Sequence, residues 1–323
     1  MAEPTRRLMV VITDSEFGDA VIERQVLADV GEVRLAHARS PDEVAAVARG
    51  ADALIVQYAR ITAEVMDAAA ESLRVIVRYG IGLDNIDVDH ARARGIAVRN
   101  VADYCIDEVA DHTTAAISSA ARRLPLYDLA VKSGGWGAGV VPPPLPPGED
   151  PVGIAGYGSI GAAVASRLAC QGHPIVVWEA LAPQRALDDG RVCVRSLGEL
   201  AQAVNHLSLH VPSTSETAGM VDDEVLERLG GSAHLVNTGR GNLIDEAALL
   251  RWLGASPHRL ASLDVFDNEP PRGGTSRDLA HHPRVVATPH VGYLSTASLP
   301  RLRATAAALA RDELLGSAGL PAC

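Results

Sequence analysis

The sequence predicts an α/β protein made of two parallel-sheet domains, one of them discontinuous. Three observations lead there. Short β-rich runs alternate with helix-length amphipathic segments along almost the whole chain, which is the rhythm of parallel strands joined by covering helices. The 323 residues are enough for two domains of roughly 150 residues each. Hydrophobic residues make up 47% and aromatic ones only 3%, so the cores rest on Ala, Val, Leu and Ile, as suits layered helices and buried parallel strands.

Taken in order, the first strand is Leu8–Ile12, an apolar run too short for the core of a signal peptide. Strands are expected at Glu32–Ala36, Ala53–Gln57, Leu73–Val77 and Ile96–Arg99, with helices at Asp19–Asp29, Pro41–Arg49 and Thr62–Ala70. Ser40 before Pro41 is a helix cap followed by a proline at the first helical position. One long helix is expected over Asp107–Val131. Residues 133–151 then carry six prolines and five glycines, a composition that excludes helix. They run extended over the surface, either as a mobile linker or as an ordered arm packed on a partner subunit. Strands resume at Val152–Ala155, Ile175–Trp178, His206–His210, His234–Asn237, Leu260–Leu263 and Val285–Ala287, and a last helix covers about Ser295–Leu315. The chain crosses between domains near Asn100 and His290. Residues 1–100 and 291–323 therefore form one domain and residues 101–290 the other.

Charge and cysteine usage exclude several function classes. With 29 Lys plus Arg against 40 Asp plus Glu, the net charge is −11, and an acidic surface repels phosphate backbones. Cys105, Cys170, Cys193 and Cys323 fall at no metal-like spacing, so no metal site is expected, and scattered thiols suit a reducing cytosol. No stretch approaches the roughly 18 apolar residues of a membrane span. The expectation is a soluble cytoplasmic protein without nucleic-acid or membrane partners.

Four motifs carry chemistry. Gly156-Tyr157-Gly158-Ser159-Ile160-Gly161 lies between the apolar strand PVGIA and the helix AAVASRLACQG. In that setting the first glycine makes a tight turn, the second admits a pyrophosphate, and the third lets helix pack on strand. The helix N-terminus offers N–H groups to the anion. The next strand ends at Glu179, placed to accept both ribose hydroxyls and to repel a 2′-phosphate, which favours NAD over NADP; Arg185 nearby leaves NADP open. The other reading of this motif is a turn that serves packing alone.

Val236-Asn237-Thr238-Gly239-Arg240-Gly241 puts an arginine at a strand's C-terminal end, where open α/β sheets bind ligands. Its guanidinium fork suits a carboxylate, and a surface ion pair is the alternative. Asp264-Val265-Phe266-Asp267-Asn268-Glu269 is a carboxylate cluster or a solvated loop. Thr288-Pro289-His290 ends the last strand with a histidine that is either structural or an acid–base group. A nucleotide fingerprint followed by arginine, carboxylate and histidine at strand ends matches what hydride transfer at C2 of a 2-hydroxy acid requires. One group holds the substrate carboxylate (Arg240), one exchanges the hydroxyl proton (His290), and one keeps the exchanger in the right protonation state (Glu269).

These motifs, preceded by RVIVRYGIGLDNIDVDHARARGIAVRNV and joined by HVPSTSETAGMV, LVNTGRGNLIDEAAL, DVFDNEP and ATPHVGY, resemble the D-isomer-specific 2-hydroxyacid dehydrogenase family over nearly the whole chain. That family includes phosphoglycerate, glyoxylate/hydroxypyruvate, D-lactate and formate dehydrogenases. The resemblance implies two Rossmann-like or flavodoxin-like domains, with residues 1–100 and 291–323 binding substrate and residues 101–290 binding NAD, in a homodimer acting on a small 2-keto or 2-hydroxy acid. It implies catalytic roles for Arg240, Glu269 and His290. Cofactor positions fall on Gly156, Gly158, Ile160, Gly161, Glu179, His210, Pro212, Thr217, Thr238, Gly239, Asp264 and Gly292, with Asp264 at the nicotinamide amide. Substrate positions fall on Arg78, Ile81, Gly82 and Tyr293, together with Arg240.

Some residues depart from the family pattern. Glu179 stands where Asp is commoner, followed by Ala180 and Leu181 instead of proline and an aromatic. Arg60 is offset from the phosphate-binding arginine of phosphoglycerate dehydrogenases, and Ile81 stands where phosphite dehydrogenases carry lysine. Neither 3-phosphoglycerate nor phosphite is therefore favoured. Arg78 and DYCIDEVADH resemble the branch that contains the C-terminal-binding-protein corepressors, and Tyr293 matches an aromatic of that branch. The alternative function is accordingly an NADH-sensing interaction protein without significant turnover.

Overall fold

Apolar runs with no exposed face make several of the strands. Ala53–Val56 (ALIV), Val152–Ala155 (VGIA) and Leu260–Leu263 (LASL) are buried at every residue, as parallel strands covered on both sides must be. The structure, a computed structural model, describes residues 7–38 and 40–316. The N-terminal MAEPTR, Arg39, and residues 317–323 with Cys323 lie outside the described residues. The chain divides into two compact units, Met1–Cys105 with Ser295–Cys323, and Ile106–Leu294. The breaks fall at 105/106 and 294/295, where the sequence placed the crossings near Asn100 and His290.

The first unit holds β1 (Leu8–Ile12), β2 (Gly31–Leu35), β3 (Ala53–Val56), β4 (Val75–Arg78) and β5 (Ala97–Asn100), with α1 (Val21–Val26), α2 (Pro41–Ala48), α3 (Ala63–Ala68) and α4 (Val88–Ala93) between them. All strands are parallel in the order β2-β1-β3-β4-β5, the flavodoxin-like winding. Ser40 caps α2 in a reciprocal box: its hydroxyl accepts the Glu43 N–H at 3.3 Å, and the Glu43 carboxylate accepts the Ser40 N–H at 3.1 Å. The C-terminal helix (Ser298–Leu315) packs on this unit through a buried ion pair. Arg303 donates to both oxygens of fully buried Glu23 at 2.8 Å and to Asp19 at 2.7 Å, while the Tyr79 hydroxyl donates to Glu23 at 2.7 Å. Charges taken this far from water are tolerated only when hydrogen-bonded as fully as these.

The second unit starts with α5 (Ile106–Ala121) and α6 (Leu124–Lys132), where the sequence predicted one helix over Asp107–Val131. Arg123, left-handed at φ 55°, and Pro125, which lacks an N–H, separate the two. Residues 133–151 form turns and a 3₁₀ turn at Pro147–Glu149. Then follow β6 (Val152–Ala155), α7 (Ser159–Cys170), β7 (Ile175–Trp178), α8 (Pro183–Asp188), β8 (Val192–Cys193), α9 (Leu197–Ala203), β9 (His206–Leu209), α10 (Asp223–Arg228), β10 (His234–Asn237), α11 (Glu246–Gly254), β11 (Leu260–Leu263), α12 (Gly274–Ala280) and β12 (Val285–Ala287). The two-residue edge strand β8 has no apolar run to announce it and was not predicted. The seven strands are parallel in the order β12-β11-β10-β9-β6-β7-β8. This is a Rossmann-like winding with one added strand, and the topology reverses between β6 and β9.

At the N-terminal ends of β9 and β10 a buried polar row crosses the second sheet. The Asp150 carboxylate meets His206 Nε2 at 2.9 Å, His206 Nδ1 meets His234 Nδ1 at 3.3 Å, and His234 Nε2 meets the Ser262 hydroxyl at 2.9 Å. With both rings neutral, a single tautomer set satisfies every contact: Ser262 donates to His234, His234 to His206, and His206 to Asp150. Burial, and after it the neighbouring His206, holds His234 well below the usual histidine range. No helix among the described residues is long and apolar enough to cross a membrane, and none of their side chains group as three or more metal ligands.

Candidate active site

The predicted residues of the second unit gather at the C-terminal ends of its strands. After β6 the backbone turns at Gly156 with φ 94°, and a Cβ there would lie 2.6 Å from the His210 carbonyl oxygen at the end of β9. Only glycine makes that turn against that neighbour. Gly161 lets α7 settle on the Gly156 carbonyl. Gly158, the N-cap of α7, offers no side-chain cap and faces open space. The first-turn N–H groups of α7 are thus approachable by an anion, which fits a pyrophosphate. Ile160 lies in the same first turn.

Glu179 follows β7 and folds back onto this turn. Its carboxylate accepts the Tyr157 N–H at 2.6 Å and the Leu181 N–H at 2.9 Å. Burial works against ionisation, but the backbone donors of Tyr157, Leu181, Ala182 and Ala180 outweigh it and hold the group below the usual glutamate range. An ionised carboxylate, able to accept ribose hydroxyls, thus stands beside the glycine turn.

His210 follows β9, its Nε2 2.9 Å from the Ser208 hydroxyl, and burial pushes it down to about 4, so the ring is neutral near pH 7. In the loop beyond, Thr217 donates to the Pro212 carbonyl at 2.7 Å. At the end of β10 the buried Asn237 sets the arginine turn. Its Oδ1 accepts the Gly239 N–H at 3.0 Å, and its Nδ2 donates to the Arg240 carbonyl at 2.7 Å. Arg240 Nη1 donates to the Gly239 carbonyl at 2.8 Å, and Thr238 meets Thr113 of α5 at 2.9 Å. Gly241 lies directly on the Phe266 carbonyl, where any side chain would collide, so the arginine turn abuts the turn that carries Glu269.

His290 and Glu269 meet. His290 Nδ1 lies 2.8 Å from Glu269 Oε2, and Glu269 Oε1 accepts the Phe266 N–H at 3.0 Å. The side chains are 29% and 34% exposed, open enough for a ligand to reach. His290 itself is left-handed at φ 55°, and its N–H donates to the Asp264 carbonyl at 2.8 Å. The buried Asp264 carboxylate accepts the Thr288 hydroxyl at 2.6 Å, the Val291 N–H at 2.9 Å and the Gly292 N–H at 2.8 Å. Asp264 therefore braces the segment that presents the imidazole. The Tyr293 ring stands edge-on to His290 with centroids 6.2 Å apart, and His112 of α5 approaches Thr288 at 3.3 Å.

Arg78, the last residue of β4, and Ile81 and Gly82 in the loop that follows it belong to the first unit. The Arg78 guanidinium lies over Gly80, whose N–H donates to the Arg78 carbonyl at 3.0 Å, and the Ile81 carbonyl accepts from Asn100 Nδ2 at 2.6 Å. In the neighbouring loop after β3, the Asp14 carboxylate accepts the N–H groups of Gln57, Tyr58 and Ala59 at 3.1, 2.6 and 3.1 Å. Sequence reasoning passed over Asp14, Asn237, His112, Thr288, Glu246 and Ser276. The signal for Asp14 was its place immediately after the first strand, and that for Asn237 its place beside the arginine turn.

Comparison with known proteins follows the same lines. Residues 114–292 match the family described as D-isomer specific 2-hydroxyacid dehydrogenase, NAD binding domain. The chain is 36% identical over 292 residues to a D-3-phosphoglycerate dehydrogenase of Mycobacterium tuberculosis, covering 90% of this chain and 54% of that protein. It thus spans about half the length of the curated relatives it first matches. A hydroxypyruvate reductase of Thermotoga maritima is 34% identical over 261 residues, 80% of this chain and 83% of the relative. Among solved structures, the D-lactate dehydrogenase of Aquifex aeolicus complexed with NAD and lactic acid superposes with a TM-score of 0.84 at 25% identity, over 95% of this chain and 96% of that one. An NADPH-dependent glyoxylate/hydroxypyruvate reductase of Sinorhizobium meliloti in complex with NADP and malonate superposes at 0.80 and 30% identity, over 94% and 92%.

Proposed function

This chain belongs to the D-isomer specific 2-hydroxyacid dehydrogenases, and on that premise we propose that it is an NAD-dependent oxidoreductase that moves hydride between NAD(H) and C2 of a 2-keto or D-2-hydroxy acid. A bound nicotinamide dinucleotide supplies or takes up the hydride. The observation that carries the reading is the 2.8 Å contact between His290 Nδ1 and Glu269. It engages one ring nitrogen with a carboxylate and leaves proton exchange with the substrate oxygen to Nε2.

In the reductive direction His290 enters protonated and gives its Nε2 proton to the carbonyl oxygen as hydride reaches C2. The neutral imidazole regains a proton from solvent, and oxidation reverses the steps. Glu269 engages Nδ1 and fixes the plane of the ring. Arg240 pairs with the substrate carboxylate and polarises the carbonyl, its turn held by Asn237. Arg78, the N–H groups of Ile81 and Gly82, and Tyr293 bind the rest of the substrate. Residues 1–100 and 291–323 serve as the substrate-binding domain and residues 101–290 as the NAD-binding domain.

NAD is assigned over NADP on Glu179, an ionised carboxylate that welcomes ribose hydroxyls and repels a phosphate. Gly156, Gly158, Ile160 and Gly161 take the pyrophosphate; His210, Pro212, Thr217, Thr238, Gly239, Asp264 and Gly292 line the remainder of the cofactor. We take the working form to be a cytoplasmic homodimer with a small-molecule substrate and without nucleic-acid or membrane partners; the family resemblance supports the dimer, which light scattering tests, and the acidic composition argues against nucleic acid.

The test is oxidation of NADH, with NADPH alongside, over glyoxylate, pyruvate, hydroxypyruvate, its phosphate ester, and branched and aryl keto acids. The expected result is turnover with NADH on at least one acid, slower turnover with NADPH, and loss of both in His290→Ala. Tight NADH binding without turnover on any acid would overturn the reading in favour of an NADH-sensing interaction module.

A further inference from the structure

We infer that Glu246 and Ser276 are positioning residues for the Glu269–His290 pair, an inference that rests on the proposal that this pair exchanges the substrate proton. Three successive N–H groups in the turn after β11 are each taken by a different side chain. The Phe266 N–H goes to Glu269 Oε1 at 3.0 Å, the Asp267 N–H to Glu246 Oε1 at 3.0 Å, and the Asn268 N–H to the Ser276 hydroxyl oxygen at 3.3 Å. The Ser276 hydroxyl in turn donates to Glu246 Oε2 at 2.6 Å, which closes the clamp.

Glu246 is the first residue of α11, and Ser276 lies on α12 at 1% exposure. Two helices therefore grip the two residues that precede Glu269. Glu269 is a flexible side chain with one oxygen on its own turn and the other on His290. Its reach to the imidazole is set by where the turn is held, and the turn is held by Glu246 and Ser276. A displacement of about 1 Å in such a group can cost on the order of a hundredfold in rate.

The measurements are steady-state keto-acid reduction and NADH binding for Glu246→Gln, Ser276→Ala, Glu269→Gln and the double variants. Glu246→Gln keeps the bulk but puts an amide NH₂ where one of the two carboxylate oxygens accepts a hydrogen bond. Expected are a kcat lowered by about tenfold to a hundredfold with KM and NADH affinity near wild type, a split that general loosening of the fold would not give. In Glu246→Gln/Glu269→Gln the loss should equal that of Glu269→Gln alone, since the clamp acts only through Glu269. Wild-type kcat in both single variants would overturn the inference, as would a KM that rises as much as kcat falls, or losses that multiply with that of Glu269→Gln. Should Glu246→Gln not fold, Ser276→Ala, which removes one hydroxyl, carries the same comparisons. Failure of the underlying reading is distinct: His290→Ala would then match wild type.

Discussion

Each unit fixes a functional loop by the same device, a carboxylate that accepts backbone N–H groups, yet the two loops present different things. In the first unit Asp14 holds Gln57, Tyr58 and Ala59, and the neighbouring segment offers Ile81 and Gly82. In the second, Glu246, Ser276 and Asp264 hold segments that carry Glu269 and His290, two titratable groups in contact. A loop that displays backbone and apolar surface suits recognition, and a loop that displays a paired acid and base suits proton transfer. Damage to the segments that carry Glu269 and His290 should therefore appear in kcat and damage to the first unit's loop in KM.

The largest effect should come from His290→Ala. Its kcat should fall by about 10²–10⁴, the value of general acid–base catalysis, while NADH binding followed by fluorescence stays intact. Unchanged turnover would break the division of labour outright. Arg240→Ala comes next and should raise KM and lower kcat together, because the guanidinium both holds the carboxylate and polarises the carbonyl; a KM that does not move would contradict that role. In the first unit, Asp14→Asn should raise KM by about tenfold, the low end of the roughly 1.5–3 kcal/mol that a hydrogen bond to a charged group is worth because the amide keeps one acceptor oxygen, and leave kcat within about twofold. A drop in kcat as large as that of His290→Ala would erase the distinction.

The smallest effect concerns stability in acid. His210 is pushed down to about 4 and His234 lies well below 6.5, both by burial and both in the second unit. Their folded values lie below the unfolded one, so below about pH 6.5 the unfolded chain binds protons that the fold refuses. Stability is therefore complete above that pH and is lost as pH falls towards 4. Trp136, Trp178 and Trp252 lie in the second unit too, so their fluorescence reports this unit alone. The tryptophan-detected melting temperature should drop between pH 7.5 and 5; a pH-independent melt would sink the assignment of neutral buried rings.

Much of this was legible in the sequence because the physics is local. A fully buried parallel strand must read as an aliphatic run, and Ser40-Pro41 must read as a helix start. Gly156, Glu179, Arg240, Glu269 and His290 stood out because hydride chemistry needs those residue types at strand ends. What was missed depends on tertiary contact or on a very short element. Glu246 follows the N-cap Asp245, whose carboxylate takes the Ala248 N–H, so it reads as one more acid at a helix start. Nothing in the chain announces that it reaches Asp267, 21 residues away. Ser276 looks like any helix serine until its burial is known. The break at Arg123 was visible in Pro125, but the apolar periodicity on either side outweighed it.

The row from Ser262 to Asp150 has a direction. With neutral imidazoles each link points the same way, from the Ser262 hydroxyl through both rings to the Asp150 carboxylate. No link can be reversed alone, so β9, β10 and β11 share one hydrogen-bond polarity through side chains that belong to three different strands.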